Sequence, residues 1–222
     1  MRRVRMRICV VLLMTAIGLF GRPALAQDPP PPIPWFVVDL HATVPRFPSD
    51  DEQLAESRGM SVAELPGRGL GAQIAVQVYP LRTKAVTFGV GGELMAGRAR
   101  QTPAPGATVA GVVPLRAAEE SIRSFSPQVS LNFGNGSGWS YLSVGLGQTT
   151  WSLATEDLID YPPNSDKLKT FNYGGGARWF IKPHVAFSFD VRFYVISPGF
   201  DYIFPASPRT RLLIIGAGVS LK

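Results

Sequence analysis

Apolar and polar residues alternate with a period of two along most of the chain beyond residue 34, and a helical period is hard to find. In the stretch from Val185 to Phe193, valines and phenylalanines form one face, while Asp190 lies on the other. Alternation of this kind predicts β-strands whose two faces differ in polarity. Eight segments show it: WFVVDLHATV, AQIAVQVY, VTFGVGGELMAG, SFSPQVSLNFG, SYLSVGLGQ, FNYGGGARWFI, HVAFSFDVRFYVI and TRLLIIGAGVSL. The chain is therefore predicted to be all-β.

The connections between these segments alternate in length. Short turns follow the second, fourth and sixth segments: PLRTKA, GNGSGW and KPH. Long segments rich in polar residues, Gly and Pro follow the first, third, fifth and seventh segments, at residues 45–69, 98–122, 150–167 and 197–208. Antiparallel neighbours joined in this way place every short turn at one end and every long loop at the other. We therefore expect an eight-stranded antiparallel up-and-down β-barrel with the layout of a membrane barrel.

The polar faces favour a transmembrane barrel over a soluble one. A soluble barrel points its apolar face inward and exposes a charged surface, whereas a membrane barrel points its apolar face at lipid. The polar faces here consist of Gly, Ser, Asn, Gln and Thr, and the charged residues on them are few: Asp39, Glu93, Arg178, Asp190 and Arg192. Small polar residues suit a crowded lumen.

Aromatic residues near the strand ends predict the two interfacial girdles of a membrane barrel. At the short-turn end these are Trp35, Tyr79, Phe133, Trp139, Trp179 and Phe180. At the long-loop end they are Phe125, Trp151, Phe171, Phe193 and Tyr194.

The N-terminus has the features of a secretory signal. Basic residues precede an apolar core at residues 8–20, and Ala24 and Ala26 supply a cleavage site. We predict a cleaved signal peptide at residues 1–26, a Pro-rich periplasmic tether at 27–34 and the barrel at 35–222. Cleavage removes five arginines and the lone cysteine, Cys9, which lowers the formal charge from +6 to +1. The mature chain then has no disulfide framework and no charge pattern for nucleic acid.

Several segments resemble the small eight-stranded outer-membrane barrels of the OmpA/OmpX-like superfamily. They are NYGGGARWFI joined by a hairpin to VAFSFDVRFY, the first strand DLHATVPRFP and the terminal GAGVSL. The resemblance implies an integral outer-membrane protein, monomeric, in contact with outer-membrane lipid and lipopolysaccharide and inserted by the barrel assembly machinery. One departure is the final pair Leu221 and Lys222, where such barrels end on an aromatic residue.

The polar residues of the lumen are expected to pair with one another. The interior of an eight-stranded barrel is just wide enough to be filled by side chains, and an unpaired buried charge is costly. The predicted interior cluster consists of Asp39, His41, Glu93, Gln128, Asn132, Arg178, Asp190 and Arg192. A turn near Pro183 would place Arg178 close to Ser188 and diagonal to Asp190, and Arg192 is expected to reach Glu93 or Asp39. We interpret the cluster as structural, with binding or gating as the alternative.

The predicted function is structural support or adhesion at the cell surface, carried by the four long loops. The first loop, containing EQLAESRGMSVAEL, is predicted to hold one or two helical turns and a surface for an unidentified partner. A narrow pore for small solutes and a soluble periplasmic ligand-binding barrel are the alternatives. No cofactor, metal ion or catalytic residue is predicted.

A lipid A-modifying enzyme is a further alternative. It needs a nucleophilic hydroxyl and a base within hydrogen-bond reach at the membrane face. His41 is predicted to face the lumen and His184 to lie in a periplasmic turn. Neither position suits such a site, so we predict that the protein is not an enzyme.

Overall fold

The described part of the chain consists mainly of β-strands. The computed structural model describes residues 30–155, 166–199 and 207–222. The predicted signal peptide and residues 27–29 of the predicted tether lie outside the described residues. Across the described ranges, no helix is long and apolar enough to cross a membrane.

Eight long strands form a closed antiparallel barrel. They are β1 (Phe36–Arg46), β2 (Gly69–Arg82), β3 (Thr87–Gln101), β6 (Ala118–Asn135), β7 (Gly138–Thr155), β8 (Asp166–Lys182), β9 (Val185–Ile196) and β10 (Thr210–Leu221). Each barrel strand pairs with the barrel strands before and after it in sequence, and β10 pairs with β1 from Leu221 opposite Val38 to Leu213 opposite Arg46. Closure leaves the barrel without a free sheet edge. The predicted eight-stranded up-and-down barrel is confirmed.

Smaller elements lie in the first two long loops. The first loop, residues 47–68, contains helix α1 (Glu52–Ser57) and a 3-10 turn at Val62–Glu64. The second loop, residues 102–117, contains a two-stranded ribbon of β4 (Thr108–Val109) and β5 (Val113–Pro114). The ribbon was not predicted, because strands of two residues are too short to show a period.

Strands β6 and β7 extend further toward the long loops than the alternation indicates. The sequence predicts loops at residues 98–122 and 150–167, but β6 begins at Ala118 and β7 continues to Thr155. In these extensions the polarity inverts: Glu119 and Ser121 face outward, whereas Ile122 and Leu153 are buried inside. A pattern that changes face partway along a strand no longer looks like one continuous strand, so the sequence prediction ends too early.

The outer face of the barrel is apolar along the middle of its strands. Outward-facing positions of β6 from Phe125 to Phe133 hold only Phe, Pro, Val and Leu. Exposure is high, at 54% for Val129 and 71% for Leu146. A continuous apolar surface of this extent is unfavourable in water and is the lipid-facing band of a membrane barrel. The barrel is therefore inside out relative to a soluble one.

The predicted aromatic girdles are partly wrong. Six of the eleven residues do face outward, namely Trp35, Phe133, Trp179, Phe125, Phe171 and Phe193. The other five do not: Tyr79, Trp139, Trp151 and Tyr194 are buried in the interior, and Phe180 is partly buried against Trp139. Proximity to a strand end does not determine the face, since successive residues point to opposite sides.

Candidate functional site

The barrel interior brings together the polar residues singled out by the sequence. All eight are buried: Asp39, His41, Glu93, Gln128, Asn132, Arg178, Asp190 and Arg192. They come from β1, β3, β6, β8 and β9, so they meet only because the barrel closes. They form two ion-pair clusters and a set of neutral hydrogen bonds.

The first ion-pair cluster joins Arg178 of β8 to Asp39 of β1. Arg178 Nε donates to Asp39 Oδ1 at 2.9 Å and Nη2 donates to Oδ2 at 2.5 Å, a bidentate pair. Ser220 Oγ donates to Asp39 Oδ1 at 2.5 Å. The guanidinium also lies 4.0 Å from the ring centroid of Tyr141, within cation–π range. The pair therefore links β1 and β8, which are separated by β9 and β10 in the barrel.

The predicted register around Arg178 is confirmed, whereas its carboxylate partner was not identified from the sequence. Arg178 lies opposite Ser188 in the β8–β9 register, as expected. Its carboxylate partner, however, is Asp39 and not the diagonal Asp190. Asp190 instead accepts a hydrogen bond from Tyr141 Oη at 2.7 Å.

The second ion-pair cluster surrounds Arg192 of β9. Its Nε lies 3.1 Å from Glu93 Oε2, and its Nη2 lies 3.2 Å from Asp190 Oδ2. Asn172 Oδ1 and Ser143 Oγ accept further hydrogen bonds from the guanidinium at 3.1 and 2.8 Å. Of the two partners expected for Arg192, Glu93 is the one it contacts. Asp190 lies on the same strand as Arg192, so the ion pairs couple β9 with β3, and the bonds to Asn172 and Ser143 add β8 and β7.

Neutral side chains complete the polar interior. Gln128 Nε2 donates to Asn172 Oδ1 at 3.4 Å. Asn132 Nδ2 donates to Ser130 Oγ at 2.9 Å, and Ser130 Oγ donates to Gln77 Oε1 at 2.5 Å. These bonds connect β2, β6 and β8 inside the lumen.

His41 lies inside the lumen, as predicted, with Nε2 at 2.7 Å from Ser188 Oγ. Both residues are buried. A histidine–serine pair in this position is remote from the lipid-facing surface. His184 lies at the short-turn end, where its Nδ1 is 3.1 Å from Lys222 O.

Sequence reasoning missed several partners of these clusters. Tyr194 donates a hydrogen bond to Glu93, and Gln73 Nε2 donates to Glu93 Oε2 at 2.5 Å. Gln73 lies on the polar face of its strand and could have been found by parity. Tyr141 likewise lies at a polar-face position of its strand, whereas Tyr194 was predicted to belong to an aromatic girdle.

An apolar core fills the barrel at the long-loop end. From the first loop it includes Phe47, Leu54, Ala55 and Leu65. From the strands it includes Met95, Ala99, Ile122, Trp151, Leu153, Leu168, Tyr194, Ile196, Leu212 and Ile214. The first loop therefore folds over the barrel mouth and does not extend freely from it.

A smaller aromatic cluster lies at the short-turn end. Ile33, Val37, Tyr79 and Trp139 are buried together, with Phe180 against them. The Trp139 and Phe180 rings stack with centroids 5.1 Å apart. Apolar side chains thus pack on both sides of the charged middle of the lumen.

The first and second loops are joined into one unit, which we call the cap (residues 47–68 and 102–117). Arg116 donates to Glu64 Oε1 from its backbone N at 2.7 Å and from Nε at 3.2 Å, and its Nη2 donates to Gly59 O at 3.0 Å. Ser61 N donates to Glu64 Oε2 at 2.7 Å in a capping box. Burial alone would raise the pKa of the Glu64 carboxyl, but its hydrogen bonds with Arg116 and Ser61, together with the charge of Arg116, outweigh burial and lower it.

The ribbon of β4 and β5 ends in an exposed apolar tip. Val109 and Val113 are paired, and Val112 N donates to Val109 O at 3.1 Å across the turn. Val112 is 80% exposed and Val113 is 59% exposed. Ala110 and Gly111 have φ values of 51° and 74°, so the turn has a defined left-handed conformation. The tip, residues 109–113, therefore presents valines on a constrained hairpin.

Comparison with solved structures identifies the fold. The structure of Neisserial surface protein A (NspA) superimposes on this chain with a TM-score of 0.52 and 16% sequence identity. The match covers 84% of this chain and 96% of the NspA chain. Ail, the attachment invasion locus protein of Yersinia pestis, solved with the heparin analogue sucrose octasulfate, matches 84% of this chain over 97% of its own, with a TM-score of 0.50 and 12% identity. No protein-family model matches the sequence, and no curated protein matches it significantly. The chain has the fold of the small eight-stranded outer-membrane β-barrels.

Proposed function

We propose that the protein is a monomeric outer-membrane barrel that acts in cell-surface interaction, with the cap as its interacting part. Outer-membrane barrels place their long loops outside the cell, so the cap would face the surroundings. The barrel would contact outer-membrane lipid and lipopolysaccharide through its apolar band. Ail, which shares the fold, is described as an attachment invasion locus protein.

The exposed valine tip is the observation that carries this proposal. Apolar side chains at a water-exposed position gain free energy when a partner covers them. The hairpin is already ordered, and its loop is tied to the first loop by Glu64 and Arg116. A preorganised surface loses less conformational entropy on binding than a flexible loop does.

The packed interior argues against the narrow-pore alternative. Two ion-pair clusters occupy the middle of the lumen, and apolar side chains pack on either side of them. The outward-facing apolar band likewise argues against a soluble periplasmic barrel.

The proposal is tested by adherence of bacteria that display the protein. A non-adherent Gram-negative strain expressing the full chain is expected to bind monolayers of cultured epithelial cells, whereas the empty-vector strain is not. Val112→Asp should reduce this binding at least about tenfold, because it places a charge at the centre of the apolar contact. Thr102→Asp adds the same charge to an exposed position of the same loop and should leave binding unchanged.

Display is checked by fractionation and by the shift between unboiled and boiled electrophoresis. Equal adherence of the Val112→Asp and wild-type strains would exclude the tip as the surface that binds the partner. Failure of the wild-type protein to increase adherence at equal display would contradict the proposed function.

A further inference from the structure

A basic cluster lies on the outer wall at the loop-end boundary of the apolar band. Arg123 of β6 is opposite Thr150 of β7, which is opposite Lys167 of β8. Arg123 and Lys167 therefore lie about 10 Å apart across the sheet. Lys169 lies two residues nearer to the band, opposite Gln148. The three basic side chains are exposed and face outward.

The cluster stands at the point where the outer wall changes from apolar to polar. On β6, the outward residues from Phe125 onward are apolar, whereas Ser121 and Glu119 beyond Arg123 are polar. Glu119 is bound by Arg98 of β3. The basic cluster thus lies at the depth of lipid headgroups, on the side that carries the long loops.

A groove of about 470 Å³ lies against this cluster. Small side chains shape it: Ala72 and Ala96 are cross-strand neighbours, and Ala96 lies directly opposite Arg123. Apolar lining comes from Ile74, Leu94 and Phe125, and polar lining from Arg123, Gln148, Thr150 and Lys167. The groove is therefore apolar along one part and basic along another, which suits an acyl chain that carries an anionic headgroup.

We propose that this groove binds a phosphorylated glycolipid of the outer leaflet, of the lipid A type. Arg123, Lys167 and Lys169 bind its phosphate groups, Thr150 and Gln148 donate hydrogen bonds, and an acyl chain lies along Ala72 and Ala96. Guanidinium and ammonium groups form strong charge-assisted hydrogen bonds with phosphate oxygens. Basic residues about 10 Å apart fit a headgroup with two separated phosphates better than a lipid with one. The inference rests on the outer-membrane location proposed above but not on the adhesive role of the cap.

Binding of bis-phosphorylated lipid A to the full chain in detergent micelles tests the inference. The triple variant Arg123→Gln/Lys167→Gln/Lys169→Gln should bind about a hundredfold more weakly, given the contribution expected of each basic residue at a lipid surface. Arg82→Gln/Lys84→Gln/Lys182→Gln removes the same charge from exposed positions at the short-turn end and should bind like the wild type. Each variant must first show the heat-dependent electrophoretic shift of a folded barrel.

Two further measurements identify the lipid. Dephosphorylated lipid A and phosphatidylglycerol should both bind weakly to the wild type, and the triple variant should not change the binding of dephosphorylated lipid A, which has no phosphate group. Comparable affinity of the wild type for bis-phosphorylated lipid A and for either of these lipids would overturn the inference. So would an unchanged affinity of the triple variant for bis-phosphorylated lipid A.

A substitution that fills the groove without changing charge tests the acyl part. Ala96→Phe should weaken lipid A binding at least about tenfold, whereas Ala217→Phe, at an exposed outward alanine of β10, should not. Equal binding of lipid A by these two variants would exclude the groove as the site of the acyl chain. Fractionation of the same variants shows whether they reach the outer membrane, so loss of the lipid site can be distinguished from failure of the proposed location. The adhesive role is tested separately, by the adherence of Val112→Asp.

Discussion

At the scale of single residues, the interior is organised by cations that each contact a carboxylate on another strand. Arg178 with Asp39, and Arg192 with Glu93, connect positions far apart in sequence. Removing one partner of such a pair leaves an unpaired charge at a buried position, which costs more than the pair itself contributes. The coupling between the partners is therefore measurable.

Substitution of Arg178 by Met is expected to lower the free energy of unfolding by about 3–5 kcal/mol, because Asp39 is left buried without its cation. Asp39→Asn should lower the free energy of unfolding by a similar amount, because Arg178 is then left buried without its carboxylate. The double variant should be more stable than the sum of the two losses implies, since neither charge is then unpaired. Urea titration in lipid vesicles, followed by the electrophoretic shift, measures these differences. Arg82→Met, at an exposed position, is the control; additive losses in the double variant would contradict the coupling.

The sequence predicts which residues enter the lumen more reliably than which of them pair. Parity along a strand places Asp39, Arg178 and Arg192 on the interior face, and hairpin register places Arg178 beside Ser188. Pairing across the lumen depends on strand tilt and on closure of the barrel, which no local pattern records. For this reason Asp39 was not identified as the partner of Arg178.

At the scale of elements, the strands cross from lipid to water along their length. In the apolar band the outward residues are apolar and the inward ones polar, and beyond the band the arrangement reverses. The apolar core beneath the cap arises from this reversal, since Ile122 and Leu153 turn inward where Glu119 turns outward. Alternation alone predicted the strands inside the band and missed their extensions.

The cap is expected to loosen at acidic pH. Because the pKa of Glu64 is lowered in the folded cap, its ionised form stabilises the cap above the ordinary pKa of about 4.5, and this stabilisation is lost as the pH falls through the lowered value. Hydrogen exchange of peptides from residues 47–68, corrected for the intrinsic effect of pH, should show falling protection over this range. In Glu64→Gln, protection at pH 7 should fall about tenfold, since a hydrogen-bonded charge pair is lost.

Glu56→Gln provides the matched control for that experiment, because Glu56 is an exposed residue of helix α1 in the same loop. Its exchange should follow the wild type at every pH. A Glu64→Gln cap with wild-type protection at pH 7 would show that the contact with Arg116 does not hold the two loops together.

At the scale of the whole molecule, three layers fill the barrel from one end to the other. Aromatic residues around Trp139 lie at the short-turn end, the ion-pair clusters lie in the middle, and the apolar core with the first loop lies at the long-loop end. A hydrated ion would have to separate buried charge pairs and then cross apolar packing. Both steps are costly, because each exposes charge to a medium of low polarity.

The purified protein should therefore be electrically silent in a planar bilayer. Insertion is verified by the electrophoretic shift of protein recovered from vesicles of the same lipid, and a sixteen-stranded porin added to the same bilayer serves as the positive control, since its wide lumen conducts. Stepwise currents that scale with salt concentration and occur in several independent preparations would establish a water path through the clusters. Silence while the porin conducts is the result that the packed lumen requires, and it would restrict any function at the cell surface to the cap and the outer wall.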